Sequence, residues 1–157
     1  MSIEIINKRI NKRGQEIRMF VKYLNSYYYI NHKVLLDIVD SPYVYGDYNQ
    51  PAFGIFYPYY NLFKIRVAND MEFYRNQVNI GKKKSVYFVL HTIAHEIYHY
   101  FQYSENKKTI ENWVEHQAHK ILRGYVKECP NHTILTINYV SRDDIVKDLA
   151  AANPYKE

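Results

Sequence analysis

Two amphipathic segments separated by only five polar residues limit the folds open to this chain. In residues 85–103 apolar side chains recur at helical spacing, and Ser85 is suited to cap the first turn. The same spacing recurs in residues 109–127. Because the connection is short, the sequence predicts that the two segments form an antiparallel helical hairpin.

The rest of the chain predicts two more helices and a group of strands. The helices are predicted for residues 15–28 and from residue 141 onward, and the strands for residues 34–39, 52–57, 62–68 and 134–140. No stretch rich in glycine, proline or serine divides the chain. We therefore expect one α+β domain covering residues 1–157, with a small mixed sheet beside the helical hairpin.

The strand predicted for residues 62–68 has two unlike faces. Phe63, Ile65 and Val67 alternate with Lys64 and Arg66. This alternation indicates one buried face and one face in contact with water. We expect the strand to lie at an edge of the sheet.

Composition limits the compartment and the partners of the protein. Cys129 is the only cysteine, so an intramolecular disulfide is excluded and a reducing compartment is expected. The N-terminal segment lacks the apolar run of a secretory signal, and no run approaches about 18 apolar residues. The sequence thus predicts a cytoplasmic protein without a membrane partner. The net charge of +5 comes from short, scattered basic runs, which support nucleic-acid binding only weakly.

The first helix of the predicted hairpin carries the motif His95-Glu96-Ile97-Tyr98-His99. Histidines four residues apart project from one face of a helix, so both imidazoles can bind a single zinc ion. Glu96 lies beside them, where its carboxylate can accept a proton from a zinc-bound water and deliver it to a leaving amine. The motif predicts a zinc site with His95 and His99 as metal ligands and Glu96 as the catalytic general base.

A catalytic zinc ion needs a third protein ligand and one open position, and the second helix offers several candidates. Glu111 and Glu115 fall within its predicted buried face. His119 lies at the margin of that face, and His116 points away from it. A carboxylate on an apolar face is costly unless it is paired or bound to a metal, which draws attention to Glu115.

Height along the predicted hairpin favours the same residue. If the turn is centred on residues 104–108, Glu115 lies between the levels of His95 and His99 at a rise of about 1.5 Å per residue. We therefore expect Glu115 to complete the zinc site.

Three nearby residues are expected to contact the ligands without binding the metal. His91 precedes His95 by four residues, but three histidines along one straight helix cannot easily surround one ion. Glu111 lies close to the turn and His119 lies at the edge of the buried face. His91, Glu111 and His119 are therefore predicted to support the ligands from outside.

The segments Ala94-His95-Glu96-Ile97-Tyr98-His99 and Glu115-His116-Gln117-Ala118 resemble the zincin peptidases whose third ligand is glutamate, most of all the ImmA/IrrE-like group. That group consists of small intracellular proteins often associated with mobile elements and regulation. The resemblance covers about residues 86–122. It implies a minimal zincin-like domain, zinc held by His95, His99 and Glu115, and a protein or peptide substrate extended along a nearby edge strand, for which residues 62–68 are the candidate.

Two classes of function stay open at this point. The first is a zinc-dependent peptidase acting on an intracellular protein, and it includes an SprT-like, DNA-associated protease with His116 or His119 as the third ligand. The second is a non-catalytic regulatory protein of zincin fold that binds a repressor, a toxin or nucleic acid. A structural zinc ion usually has four protein ligands, whereas three are well placed here, so the sequence favours the peptidase.

Overall fold

The computed structural model describes residues 1–6, 14–59, 62–69, 81–108 and 110–129. Within these ranges the helices are α1 (Gln15–Tyr27), α2 (Gly81–Ser104) and α3 (Glu111–Glu128). The strands are β1 (Ile3–Ile5), β2 (Val34–Val39), β3 (Val44–Tyr45), β4 (Pro51–Ala52), β5 (Gly54–Tyr59) and β6 (Leu62–Ala68). The strand predicted for residues 134–140 and the helix predicted from residue 141 lie outside the described residues.

Four strands form a mixed sheet in the order β1-β2-β6-β5. β1 pairs with β2 and β2 pairs with β6 in parallel, whereas β5, which precedes β6 in the chain, pairs with β6 antiparallel. β3 and β4 form a separate antiparallel pair. The mixed α+β architecture agrees with the sequence prediction, whereas β1, β3 and β4 were not predicted because two or three residues are too few to show a period.

β6 is an interior strand, so the prediction that residues 62–68 form a sheet edge was wrong. Its basic side chains contact Asp37 of β2: the Nε atom of Arg66 lies 3.2 Å from the carboxylate, and Lys64 Nζ lies 3.9 Å from it. Cross-strand pairing of opposite charges explains the alternation of apolar and basic residues. Among the described strands, the edge on this side of the sheet is β5.

α2 is the most enclosed helix among the described elements. It contacts α1, α3, β5 and β6, and its residues 85–97 are all buried. A helix in such surroundings is expected to be apolar all round, yet His91, Thr92, His95 and Glu96 are among its buried residues. Buried polar groups cost free energy unless they are paired or bind a metal, so this part of α2 is the place to look for a functional site.

The helix limits differ from the prediction at the ends of the hairpin. α1 has the expected bounds to within one residue, but α2 begins at Gly81, and Ser85 lies buried inside the helix instead of capping it. α3 begins at Glu111, two residues later than expected. In the part of the chain that the structure describes, no helix combines the length and the apolar character needed to cross a bilayer.

Candidate metal site

α2 brings His95, Glu96 and His99 together in the way the motif predicts. The Nε2 atoms of His95 and His99 are 3.1 Å apart, and one ligand atom from each of the three residues lies within 4.8 Å of the others. His95 is 7% exposed and Glu96 is 6% exposed. One helical turn thus directs both imidazoles to a common point, with the Glu96 carboxylate alongside.

Glu111, the first residue of α3, adds a carboxylate at this point. Its Oε2 lies 3.2 Å from Nε2 of His95, and its Oε1 lies 3.3 Å from Nε2 of His99. A tetrahedral zinc ion with bonds of about 2.0–2.1 Å holds its ligand atoms about 3.3 Å apart. The two N···O separations are of this size, with each imidazole facing a different oxygen of the Glu111 carboxylate.

Glu115 lies on the other side of His95. Its Oε2 is 3.7 Å from Nδ1 of His95, and its Oε1 is 3.5 Å from Nε2 of His91. The Glu115 carboxylate therefore lies near Nδ1 of His95, which is the ring nitrogen that is not directed at His99. The structure thus places Glu111, and not Glu115, beside the Nε2 pair, which differs from the expected arrangement.

The connection between α2 and α3 accounts for the difference. The backbone N–H of Lys107 donates to the carbonyl of Gln102 at 2.8 Å, so the chain folds back along the last turn of α2. α3 then begins at Glu111, already in reach of His99. The sequence estimate measured the position of each α3 residue along the hairpin from a turn at the end of α2. Helical periodicity could not reveal that the connection itself runs back along α2 before α3 begins.

The other histidines considered from the sequence occupy different surroundings. His91 is 1% exposed, and its Nε2 lies 3.5 Å from Oε1 of Glu115. On α3, Nδ1 of His119 lies 3.2 Å from the hydroxyl of Tyr87, and His116 is exposed. The geometry near the Nε2 pair therefore favours a carboxylate over a histidine as the third donor.

Burial disfavours the charged form of the His99 imidazole. Desolvation lowers the pKa of His99, and the neighbouring His95 lowers it further, while Glu111 and a hydrogen bond with Gln102 act in the opposite direction. Burial also lowers the pKa of His119. A neutral imidazole is the form that can bind a metal ion, so the lowered pKa of His99 favours that form.

An open cleft of about 640 Å³ is lined by His95, Glu96, His99 and Glu111. One wall of the cleft is β5, and the opposite wall is made by α2 and the beginning of α3. Phe56 of β5 and Tyr103 of α2 also line the cleft, with ring centroids 6.0 Å apart. The candidate metal position is thus reached through a cleft with both polar and aromatic surfaces.

The free edge of β5 borders this cleft. The carbonyl of Phe53 accepts a hydrogen bond from the N–H of Ala68 at 2.8 Å, so the backbone groups of Phe53 point toward β6. Backbone groups alternate along an antiparallel strand, so those of Gly54, Phe56 and Pro58 face away from β6. Pro58 has no N–H, and it lies at a position where β6 does not require one. Among the described strands, none pairs with this edge.

Comparisons with known protein families, curated proteins and solved structures find no match for the chain. The chemistry open to the site follows from its donor atoms. Two imidazoles and a carboxylate form a donor set that zinc accepts, and a second carboxylate, that of Glu96, lies next to them.

Gly54 and Tyr103 are among the cleft residues that the sequence did not identify. Gly54 offered a signal, because a glycine within a strand pattern often marks the close approach of another backbone or side chain. Tyr103 offered none, since the chain contains 18 tyrosines and no pattern separates this one from the others. Only the packing of α2 against β5 brings Tyr103 to the cleft.

Proposed function

We propose that this protein is a zinc-dependent peptidase that hydrolyses peptide bonds in a protein substrate. The observation that carries the proposal is the pair of Nε2 atoms of His95 and His99, 3.1 Å apart, with one Glu111 oxygen 3.2 Å from the first nitrogen and the other oxygen 3.3 Å from the second, beside a buried Glu96. The spacing suits one zinc ion, and the open cleft gives a substrate access to it.

The donor set supports catalysis over a purely structural metal. Structural zinc sites usually have four protein ligands, whereas three protein ligands leave a position for water or substrate. When bound, zinc would supply Lewis acidity, which polarises a carbonyl group and makes water more acidic. Zinc also suits the mixed nitrogen and oxygen donors of His95, His99 and Glu111.

Glu96 has the position required of a general base. It neighbours both imidazoles and lines the cleft. In the proposed reaction its carboxylate accepts a proton from the attacking water and then delivers that proton to the nitrogen of the leaving amine. The same proton is taken up and returned, so Glu96 ends the cycle ionised.

Glu115 and His91 are proposed to orient the ligand His95. The carboxylate of Glu115 lies between Nδ1 of His95 and Nε2 of His91. Metal-binding histidines commonly direct their second ring nitrogen to a carboxylate, which fixes the tautomer and the direction of the ring. Glu115 would thus act through His95, while Glu111 would act on the metal itself.

β5 is proposed as the strand along which an extended substrate binds. The outward backbone groups of Gly54 and Phe56 provide both N–H donors and C=O acceptors, and Pro58 provides only an acceptor. Added-strand pairing of this kind supplies affinity through the main chain. An apolar substrate side chain could contact the rings of Phe56 and Tyr103 in the same cleft.

Replacing Glu96 by glutamine tests the proposal. Glu96→Gln is expected to keep about one zinc per chain and the parent fold, and to lose hydrolysis of a peptide library by roughly a hundredfold or more. Elemental analysis and mass spectrometry of the digested library measure the two quantities. An exposed glutamate at the far end of α3, in the variant Glu128→Gln, serves as the control for the change of charge.

A parent protein that cleaves nothing in the library after zinc loading would contradict the proposal, and so would a Glu96→Gln variant as active as the parent. The inactive variant also offers a way to find the substrate, because it should retain a bound protein that the parent would cleave.

A further inference from the structure

At Gly54 the backbone of β5 approaches α2 closely. A Cβ atom at this position would lie 2.7 Å from Cγ2 of Thr92 and 2.9 Å from Cγ of Glu96. It would also lie 3.2 Å from Oε1 of Glu96. Carbon atoms are attracted to each other at about 3.5–4.0 Å, so any side chain at residue 54 requires one of its neighbours to move.

Thr92 has little freedom to move. Its hydroxyl donates to the carbonyl of Phe88 at 2.9 Å, and the residue is 1% exposed. This hydrogen bond holds the methyl group of Thr92 toward β5. The adjustment to a larger residue 54 must therefore come from β5 or from the side chain of Glu96, which is itself buried.

We propose that Gly54 is a positioning residue that sets where the carboxylate of Glu96 lies relative to His95 and His99. The inference rests on the proposed function, in which Glu96 moves a proton at the metal. The backbone of β5 at Gly54 forms the wall against which the Glu96 side chain rests. The same residue turns its own backbone groups toward the cleft, so one glycine fixes the distance between the general base and the strand that would hold the substrate.

A double-mutant cycle tests the contact without zinc or hydrolysis. Urea unfolding in the presence of a chelator would compare Gly54→Ala in the parent and in a Glu96→Ala background. We expect Gly54→Ala to lower the unfolding midpoint in both backgrounds, and by less once the Glu96 side chain is removed, because the clash with Cγ of Glu96 is then absent while the clash with Cγ2 of Thr92 stays. Equal losses in the two backgrounds would overturn the inference.

Activity separates positioning from packing. With zinc loaded, Gly54→Ala is expected to keep its metal and to lose about a hundredfold in kcat, since a shift of about 1 Å in a catalytic group has an effect of that size. In Gly54→Ala/Thr92→Ser the clash with the Thr92 methyl group is absent while the clash with Glu96 stays. Stability should then recover in part, and kcat should stay low.

Two other glycines provide matched controls. A Cβ atom at Gly46 would lie 3.4 Å from Cδ1 of Ile55, so Gly46→Ala should leave stability and kcat unchanged. A Cβ atom at Gly124 would clash with the hydroxyl of Tyr23, so Gly124→Ala should lower stability while the folded protein keeps its kcat. A Gly54→Ala variant that behaves like Gly124→Ala, or whose kcat returns when Thr92→Ser is added, would show a packing role only and would overturn the inference. A parent without hydrolytic activity would overturn the peptidase proposal instead, and the chelated unfolding cycle would still report on the contact.

Discussion

The two sides of His95 differ although α3 presents a glutamate to each. The open side consists of Glu111 and the Nε2 atoms of His95 and His99, and it borders the cleft. The buried side consists of Glu115, His91 and Nδ1 of His95. The Glu111 side chain is 68% exposed, and that of Glu115 is 22% exposed.

The difference teaches that residue type and helical spacing do not assign a role. Glu111 and Glu115 are one turn apart on the same helix, so each is equally able to present a carboxylate. A metal ion that acts on a substrate needs an open coordination position that the substrate can reach, and the proposed ligand Glu111 borders the cleft while the proposed orienting residue Glu115 is largely shielded from water. Exposure therefore separates the two glutamates.

Removal of Glu111 tests this comparison most strongly. Glu111→Ala should weaken zinc binding by more than the roughly 10- to 100-fold loss usual for a residue that only orients a ligand. Competition with a chromogenic chelator measures the dissociation constant. Glu128→Ala, at the far end of α3, is the matched control and should bind zinc as the parent does.

If Glu115→Ala loses more zinc affinity than Glu111→Ala, the two roles are reversed and the third ligand is the one expected from the sequence. If neither change matters and His119→Ala loses zinc, the histidine-ligand alternative gains.

Glu115 should have the intermediate effect. Glu115→Ala is expected to lower zinc affinity by about 10- to 100-fold, because His95 loses the carboxylate 3.7 Å from its Nδ1, which in the proposed function orients the ring. Glu115→Gln should recover part of the loss, since an amide oxygen is also able to accept a hydrogen bond from an imidazole N–H. Spectra of the cobalt-substituted protein would show whether the ligand geometry changes. A Glu115→Gln variant as weak as Glu115→Ala would mean that negative charge, and not orientation, is what Glu115 contributes.

The pH dependence of the metal-free protein should give the smallest effect. Burial lowers the pKa of both His99 and His119, so the unfolded chain binds more protons than the folded protein between the lowered pKa and the ordinary value of about 6.5. Stability from these groups is therefore complete above that value and is lost as the pH falls below it.

Thermal unfolding in chelator at several pH values between about 7.5 and 5 measures this dependence. The midpoint should fall with acid in the parent and fall less in His99→Gln. His116→Gln, which changes an exposed histidine on α3, is the control. An identical slope in parent and His99→Gln would show that His99 does not contribute.

The sequence by itself determined the parts of the site that depend on one helix. His95, Glu96 and His99 lie within one turn of α2, so backbone hydrogen bonds that repeat every residue fix their relative positions. The α1, β2 and β6 segments were likewise found from their periods, within one residue of their bounds. A helix or strand can be predicted from its own sequence because its backbone geometry repeats along that segment.

Tertiary structure alone decided which carboxylate of α3 meets the Nε2 pair and which strand borders the cleft. The first depends on the backbone hydrogen bond from Lys107 to Gln102, which returns the chain along α2 before α3 begins. The second depends on the pairing of β6 with β2 and with β5, which makes β5 the outermost of the described strands on that side. Both outcomes depend on contacts between different helices and strands. The hydrophobic period of a single helix or strand does not show how it is placed against its neighbours, so only the folded chain reveals these contacts.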